Sequence, residues 1–103
     1  MPAVCREGDD LTTGHICSSI TQLDEPAQST VFCNGILVAR RTDKTVSHPF
    51  PPAPICAPHV AQVNEGSSSV FVAGLECARV GDSADAGEMI EGSPNVFAGG
   101  SNE

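Results

Sequence analysis

Three histidines stand out in this chain because neutral imidazole nitrogens bind metal ions such as zinc and iron. His15 lies six residues after Asp9, and His48 lies five residues after Asp43. His59 follows in a segment that is stiffened by five prolines. The first two histidines thus hold near-equivalent places after an aspartate, which allows all three side chains to converge on one metal ion. Three solvated loop histidines are the simpler alternative, and the spacing alone leaves both open.

Five cysteines offer a second kind of ligand, although their spacing contains no CxxC pair of the kind found in redox and zinc-knuckle motifs. Cys17 lies two residues after His15, and Cys56 lies three residues before His59, so either thiol could reach the same ion. Cys17 and Cys56 both follow an isoleucine and are 39 residues apart, so they could instead face each other as a thiol pair or as a disulfide formed after export. The cysteines predicted to be core residues are Cys5, Cys33 and Cys77.

Catalysis by these residues is not expected. A serine or cysteine nucleophile needs a base beside it, a third group that orients the base, and a pocket for the substrate. Nothing in the sequence marks such a nucleophile, and 103 residues leave little room for a pocket around one. We therefore predict that the protein is not an enzyme.

The elements that would position the histidines belong to an internal repeat. Residues 29–43 and 68–82 align without a gap at an offset of 39 and share Ser, Val, Phe, Gly, Ala, Arg and Asp at matching positions. Residues 92–100 form a third, partial copy, and residues 6–9 match the Arg-x-Gly-Asp end of the second copy. Three Val-Phe segments therefore alternate with three Arg-x-(Gly/Thr)-Asp turns, and a repeat of this kind decides the architecture.

Each copy of the repeat is predicted to contain a β-hairpin. Short apolar segments flank Asn34–Gly35, a pair typical of hairpin turns, and Ala73–Gly74 is the equivalent turn in the second copy. The 10 glycines and 8 prolines disfavour long helices. The sequence therefore predicts one mainly β domain over residues 1–103, built from three repeated β-units with long loops and arranged with pseudo-threefold symmetry.

The composition argues against several kinds of partner. There are 13 Asp and Glu residues against 5 Lys and Arg, and the formal charge of −8 disfavours binding to nucleic acid or to an anionic membrane surface. No apolar run is long enough to span a bilayer. The N-terminal residues lack the basic and apolar regions of a secretory signal, so we expect synthesis in the cytoplasm.

The chain resembles the PAAR-repeat proteins, which take their name from a Pro-Ala-Ala-Arg turn before Gly-Asp. The corresponding turns read Leu-Val-Ala-Arg at residues 37–40 and Glu-Cys-Ala-Arg at residues 76–79, and the Gly-Ser-Pro-Asn-Val-Phe segment at residues 92–97 is also typical. The resemblance implies a small conical β-pyramid with a metal ion, usually zinc, near its tip. It also implies that one copy caps and sharpens the trimeric β-helical spike of a type VI secretion system or a contractile phage tail, for piercing the target cell envelope. Such a protein is made in the bacterial cytoplasm and delivered outside at the tip of the machine.

The resemblance strengthens the assignment of His15, His48 and His59 to the metal, but the chain departs from the family pattern at the fourth ligand. Family members typically place a cysteine just after the third Gly-Asp turn, whereas residues 81–87 here contain none. Cys56 is the first substitute and Cys17 the second, and a water molecule is the remaining alternative. We expect one structural ion per chain, with zinc as the first choice and iron as its rival.

The Val-Phe pairs are the predicted contacts with the spike. Three equivalent strands in one chain can meet a threefold trimer in the same way three times. Neighbouring side chains of a strand face opposite ways, so one member of each pair is expected in the core and the other on the surface. Burial of both members is the alternative. The six residues are Val31, Phe32, Val70, Phe71, Val96 and Phe97.

A free-standing, acidic metal-binding protein is the alternative function. It would share the metal site but would have no spike partner.

Whichever function holds, the isolated chain is expected to be a monomer that neither binds nucleic acid nor inserts stably into a membrane.

Overall fold

Ten short strands form the regular structure of residues 1–99, which are the residues that the computed structural model describes. No helix occurs among these residues, so the predicted mainly β fold is confirmed. The strands are β1 (Asp10–His15), β2 (Ser18–Gln22), β3 (Phe32–Cys33), β4 (Ile36–Leu37), β5 (His48–Phe50), β6 (Ala57–His59), β7 (Phe71–Val72), β8 (Leu75–Glu76), β9 (Ser83–Ala84) and β10 (Gly87–Glu88). Consecutive strands pair in antiparallel fashion to give five separate hairpins. Residues 1–99 contain no helix of the length and hydropathy needed to cross a membrane.

The tight turns occur where the residues accept a left-handed backbone. Asn34 and Gly35 have φ angles of 57° and 77°, and Ala73 and Gly74 have φ angles of 47° and 89°. Positive φ at both central residues is the mark of the type I′ turn, whose twist matches that of the flanking strands. The two hairpins predicted from the repeat, β3–β4 and β7–β8, are therefore confirmed.

A closed cycle of backbone hydrogen bonds joins the copies of the repeat. The amide of Cys5 donates to the carbonyl of Ala78, the amide of Ala78 to the carbonyl of Ala39, and the amide of Ala39 to the carbonyl of Cys5. The three N–O distances are 2.9, 3.0 and 3.0 Å, and all three residues are fully buried. Small side chains suit a point where three backbone segments meet. The cycle repeats one contact three times, while a pseudo-threefold axis for the whole fold stays a prediction.

Each Arg-x-(Gly/Thr)-Asp sequence forms the same turn. The aspartate amide donates to the arginine carbonyl, and the aspartate carboxylate accepts from the arginine amide at 2.7–2.8 Å. Arg79 is fully buried, and its guanidinium donates to the carboxylate of Asp82 and to the carbonyl of Gly99. A charge can be buried only when partners of this kind neutralise it. The three pairs are Arg6–Asp9, Arg40–Asp43 and Arg79–Asp82.

The apolar core consists of two clusters that meet at the hydrogen-bonded cycle. One cluster contains Cys5, Leu11, Leu23, Ala39, Val63, Ala78, Ala84 and Met89. The other contains Val4, Cys33, Val38, Val72, Cys77 and Ala98. The clusters adjoin because the three residues of the cycle directly follow Val4, Val38 and Cys77 in the chain. Cys5, Cys33 and Cys77 are buried, which confirms their predicted place in the core.

The Val-Phe segments and the histidines lie on opposite sides of this cycle. The carbonyl of Val31 accepts from the amide of Val38, directly before Ala39, whereas His48 follows on the other side of the Arg40 turn. The molecule is 41 Å long and 26 × 23 Å in cross-section. We call the six Val-Phe residues the base, and we call residues 14–20 together with residues 48–60 the apex. Gly100, the last residue of the third copy, and residues 101–103 of the predicted domain lie outside the described residues.

Candidate metal centre

Four side chains from three hairpins converge at the apex. His15 ends β1, His48 begins β5, His59 ends β6, and Asp85 lies in the two-residue turn between β9 and β10. Their ligand atoms all lie within 4.8 Å of one another. The structure thus brings together the three histidines named from the sequence and adds one carboxylate, giving a group that could hold a metal ion.

The register of one hairpin sets two of these positions. His48 lies directly opposite His59 in the β5–β6 pair, and the centroids of their rings are 4.7 Å apart. Directly opposite residues of an antiparallel pair place their side chains on the same face. Residues 48–50 of the proline-rich segment thus belong to strand β5.

Close approach of two backbones places the Asp85 turn against β1. A Cβ atom on Gly14 would overlap the carbonyl of Ala86, and a Cβ atom on Gly87 would overlap the carbonyl of Thr12. Gly14 also has a φ angle of 73°, which side chains other than glycine rarely adopt. Glycine at both positions therefore lets the β9–β10 turn bring its carboxylate beside the end of β1.

The carboxylate of Asp85 contacts all three imidazoles. Its Oδ2 lies 2.9 Å from Nε2 of His15 and 2.8 Å from Nε2 of His48, and its Oδ1 lies 3.4 Å from Nε2 of His59. The side chains of Asp85, His15 and His48 are no more than 8% exposed, and that of His59 is 24% exposed. A carboxylate this well shielded from water is costly to bury unless a positive charge neutralises it.

Hydrogen bonds at Nδ1 of His15 and of His48 determine that the unprotonated nitrogen of each neutral ring, Nε2, faces the carboxylate of Asp85. Nδ1 of His15 lies 3.0 Å from the carbonyl of Ile16, and Nδ1 of His48 lies 3.0 Å from the carbonyl of Val46. A carbonyl only accepts, so each Nδ1 carries the proton, and each Nε2 of a neutral ring directs a lone pair at Asp85. Lone pairs repel a carboxylate unless a proton or a metal cation lies between them. The donor set fits a metal ion, because ligating histidines usually donate their other N–H to a carbonyl in this way.

In the metal-free cluster the same groups stabilise each other's charged forms. Burial acts to lower the pKa of His15, but hydrogen bonds with the Ile16 carbonyl and with Asp85 outweigh it, so this pKa is raised above its ordinary value. Burial acts to raise the pKa of Asp85, but hydrogen bonds from His15 and His48 outweigh it, so this pKa is lowered. The carboxylate therefore stays charged and available to a cation.

Phe50 covers one side of the cluster. Its ring stacks on that of His59 with centroids 4.2 Å apart, and it meets the ring of His15 edge-on at 4.8 Å. An apolar cover over two of the imidazoles restricts the access of water to the ligand atoms, which strengthens electrostatic interactions inside the cluster.

A family model described as the PAAR motif matches residues 8–90, which is most of the chain. The chain belongs to the PAAR-motif family. The resemblance found in the sequence is thereby confirmed, and the matched range includes all four residues of the cluster. The PAAR motif is associated with spike-tip proteins of type VI secretion and related systems. A comparison with curated proteins gives no match.

Cys56 is not part of the cluster, contrary to the first choice for the fourth ligand. Cys56 forms a disulfide with Cys17, which was the other possibility left open by their separation of 39 residues. Metal binding needs a thiolate, and a disulfide sulfur is not one, so neither cysteine is the fourth ligand in this structure. The disulfide instead joins the β1–β2 turn beside His15 to the β5–β6 loop beside His59, and it braces the apex.

Asp85 is the member of the cluster that the sequence reasoning missed. It lies within residues 81–87, the stretch in which the family resemblance implied a cysteine. A carboxylate oxygen binds the same metals as a thiolate, so an acidic residue in that stretch was the available signal.

The base exposes both members of each Val-Phe pair, so the expectation that one member is buried is wrong. The phenylalanines are 51–58% exposed and the valines 37–40% exposed. Alternation begins only at the phenylalanine, because β3 and β7 start there and the valine precedes the strand. The buried residue is the one after each phenylalanine, namely Cys33, Val72 and Ala98.

Proposed function

We propose that this chain is the tip that caps and sharpens the trimeric central spike of a contractile injection machine, a phage tail or a type VI secretion system, for piercing the target cell envelope. The base carries the proposal, because a single chain presents the same exposed apolar pair three times. Phe32, Phe71 and Phe97 are 58, 57 and 51% exposed, which is a close match for three separate sites.

The three pairs are held in equivalent ways. The carbonyl of each valine accepts a hydrogen bond at 3.0–3.1 Å from the residue directly before a member of the buried cycle. The donors are the amides of Val4, Val38 and Cys77. A β-helical trimer ends in three identical strand edges, and an uncovered edge recruits unwanted pairing. One tip with three equivalent contacts can cover such an end, at one tip per trimer.

The metal serves structure rather than catalysis in this proposal. The apex holds His15, His48, His59 and Asp85 but little apolar core, and metal binding would supply folding energy there. Four protein ligands fill a tetrahedral site, which is typical of structural zinc. Imidazole and carboxylate ligands without a thiolate also suit iron, which stays the rival to zinc. The proposed protein is not an enzyme.

The proposed setting is the tip of the assembled machine outside the cell that makes it. The Cys17–Cys56 disulfide supports this, since disulfides persist in oxidising surroundings and are rare in the cytoplasm. The chain would be made in the bacterial cytoplasm, be a monomer until it meets the spike, and bind no nucleic acid, in keeping with its charge of −8.

Native mass spectrometry of the tip mixed with the trimeric spike of the same machine tests the proposal. We expect one tip per trimer, and Phe71→Asp should abolish the complex while the metal content stays unchanged, because the core separates base from apex. Ile90→Asp is the matched control, since Ile90 is 44% exposed but belongs to neither base nor apex. Three tips per trimer, or a stable trimer of the isolated chain, would overturn the capping model. A metal-loaded chain that binds no spike would instead be the free-standing metal-binding protein.

A further inference from the structure

The apex carries no formal charge on its surface segments. The chain has no Asp, Glu, Lys or Arg at residues 11–23 or at residues 45–64, although its net charge is −8. The nearest charged residues in the chain are Asp10 and Asp24 on one segment and Lys44 and Glu65 on the other. Asp85, which enters the apex from another hairpin, has a side chain that is only 6% exposed.

Large aliphatic side chains project from these uncharged segments. Ile55 is 79% exposed, more than any other large apolar residue of the described chain, and Ile16 and Val60 are 64 and 54% exposed. Ile16 and Ile55 each precede a cysteine of the disulfide, whose Cα atoms are 5.9 Å apart, so the disulfide joins the two segments that carry these isoleucines.

We propose that the apex contacts a lipid bilayer directly, with Ile16, Ile55 and Val60 entering the boundary between headgroups and acyl chains. A bilayer interior rejects charged side chains most strongly and accepts isoleucine and valine. A protein partner is a poorer match, because protein interfaces are enriched in Tyr, Trp, Phe, Met and Arg, and of these only Phe50 occurs at residues 11–23 and 45–64. The apex also has no Lys or Arg to bind anionic headgroups, so the expected surface is a zwitterionic one.

The contact is an interfacial one and needs no membrane span. The proposed lipid contact rests on the proposed function, because a spike docked on the base would leave the apex free to meet a membrane. The acidic body would remain outside the bilayer, since acidic side chains are repelled by anionic lipids and rejected by acyl chains.

Tryptophan reporters give a direct test, because the chain contains neither Trp nor Tyr. Ile55→Trp protein, metal-loaded and oxidised, is mixed with phosphatidylcholine vesicles, with Ile90→Trp as the matched control. The proposal predicts a blue shift of emission and quenching by brominated acyl chains for Ile55→Trp alone. Equal responses from both variants, or a response from neither, would overturn it.

Charge insertion gives the second readout. Ile16→Asp/Ile55→Asp protein should partition into the same vesicles about tenfold less than the wild type, because binding scales with the apolar area that enters the lipid. Ile90→Asp should partition like the wild type. Wild-type partitioning by the double variant would refute the contact. So would a concentration-dependent dimer of the wild type that the double variant loses, since the apex would then bind a second copy of the chain.

Spike binding by the same variants separates this inference from the proposed function. The double variant should still form the complex of one tip per trimer. A chain that binds the spike but not vesicles would overturn the apex contact alone, and a chain that binds vesicles but not the spike would overturn the capping function alone.

Discussion

Replacing Asp85 by asparagine isolates the contribution of the one carboxylate in the metal cluster. The substitution keeps the shape of the side chain and removes its charge, so the packing of the β9–β10 turn is preserved. Asp85 lies 2.8–2.9 Å from the Nε2 atoms of His15 and His48, and its side chain is only 6% exposed, so the lost charge is poorly replaced by water. We expect the variant to fold and to bind metal much more weakly.

The size of the effect follows from the number of ligands. Loss of an outer partner of a metal ligand costs about 10–100-fold in affinity, so loss of one of four direct ligands should cost at least about 100-fold. That factor corresponds to about 2.8 kcal/mol. With metal in excess, the same free energy is lost from unfolding, because the metal binds the folded chain. For a domain of this size the melting temperature should fall by about 10–20 °C.

Competition with a chromophoric chelator measures the affinity, and calorimetry measures the melting, since a chain without Trp or Tyr has no useful intrinsic fluorescence. Glu88→Gln is the matched control, because it removes an exposed charge from the neighbouring β10. Asp85→Cys should retain metal, since a thiolate can take the same place. Wild-type affinity in Asp85→Asn together with lost affinity in His48→Ala would refute the assignment of Asp85 as a ligand.

Three further predictions concern the disulfide, a buried thiol and pH. Reduction of Cys17–Cys56 should destabilise the protein by about 4 kcal/mol, because the disulfide closes a loop with a sequence separation of 39, and it should speed metal transfer to a chelator. The reductant should not change the melting temperature of the Cys17→Ser/Cys56→Ser control. An unchanged melting temperature of the reduced wild type would contradict the prediction. Burial raises the pKa of Cys77 to about 11, so mass spectrometry should find it alkylated only after unfolding, and rapid labelling of the native protein would contradict its place in the core. Acidification should weaken metal binding as the pH falls below the raised pKa of His15, because protons then compete with the metal ion for the imidazole. In the metal-free protein, stability changes with pH in the opposite direction. The charged His15–Asp85 pair stabilises the fold at pH values between the lowered pKa of Asp85 and the raised pKa of His15, and this stability is lost as the pH rises through the pKa of His15. Melting temperatures measured with and without metal should therefore diverge as the pH changes.

The hairpins and the placing of two of the histidines could be predicted because local chemistry and the repeat determine them. Asn34–Gly35 accepts positive φ at both positions, so the turn fixes the pairing of β3 with β4 whatever surrounds it. His15 and His48 follow equivalent aspartate turns, so the repeat itself brings them to the same end of the molecule.

Asp85 was missed as the fourth member of the cluster because its place there depends on contacts between distant segments, and the one signal was an acidic residue in the stretch where the family pattern has a cysteine. Asp85 reaches the histidines only because glycines at 14 and 87 let two backbones approach closely, and the sequence does not show that these two segments meet. The choice of Cys56 between a metal and a disulfide likewise depends on where the β5–β6 loop meets the β1–β2 turn. The prediction that one member of each Val-Phe pair is buried was wrong for a different reason. The alternation of side chains along a strand does not extend to the valine, which precedes the strand.

X-ray absorption at the metal edge of the freshly purified protein identifies the metal ion and its ligand atoms. We expect one zinc or iron per chain, bound only by nitrogen and oxygen at about 2.0–2.2 Å, with three imidazoles among the ligands. The spectrum of the Asp85→Cys protein should show an added sulfur shell at about 2.3 Å, which calibrates the measurement. A protein that carries no metal, or a sulfur ligand in the wild type, would contradict a metal-braced apex held by three histidines and Asp85.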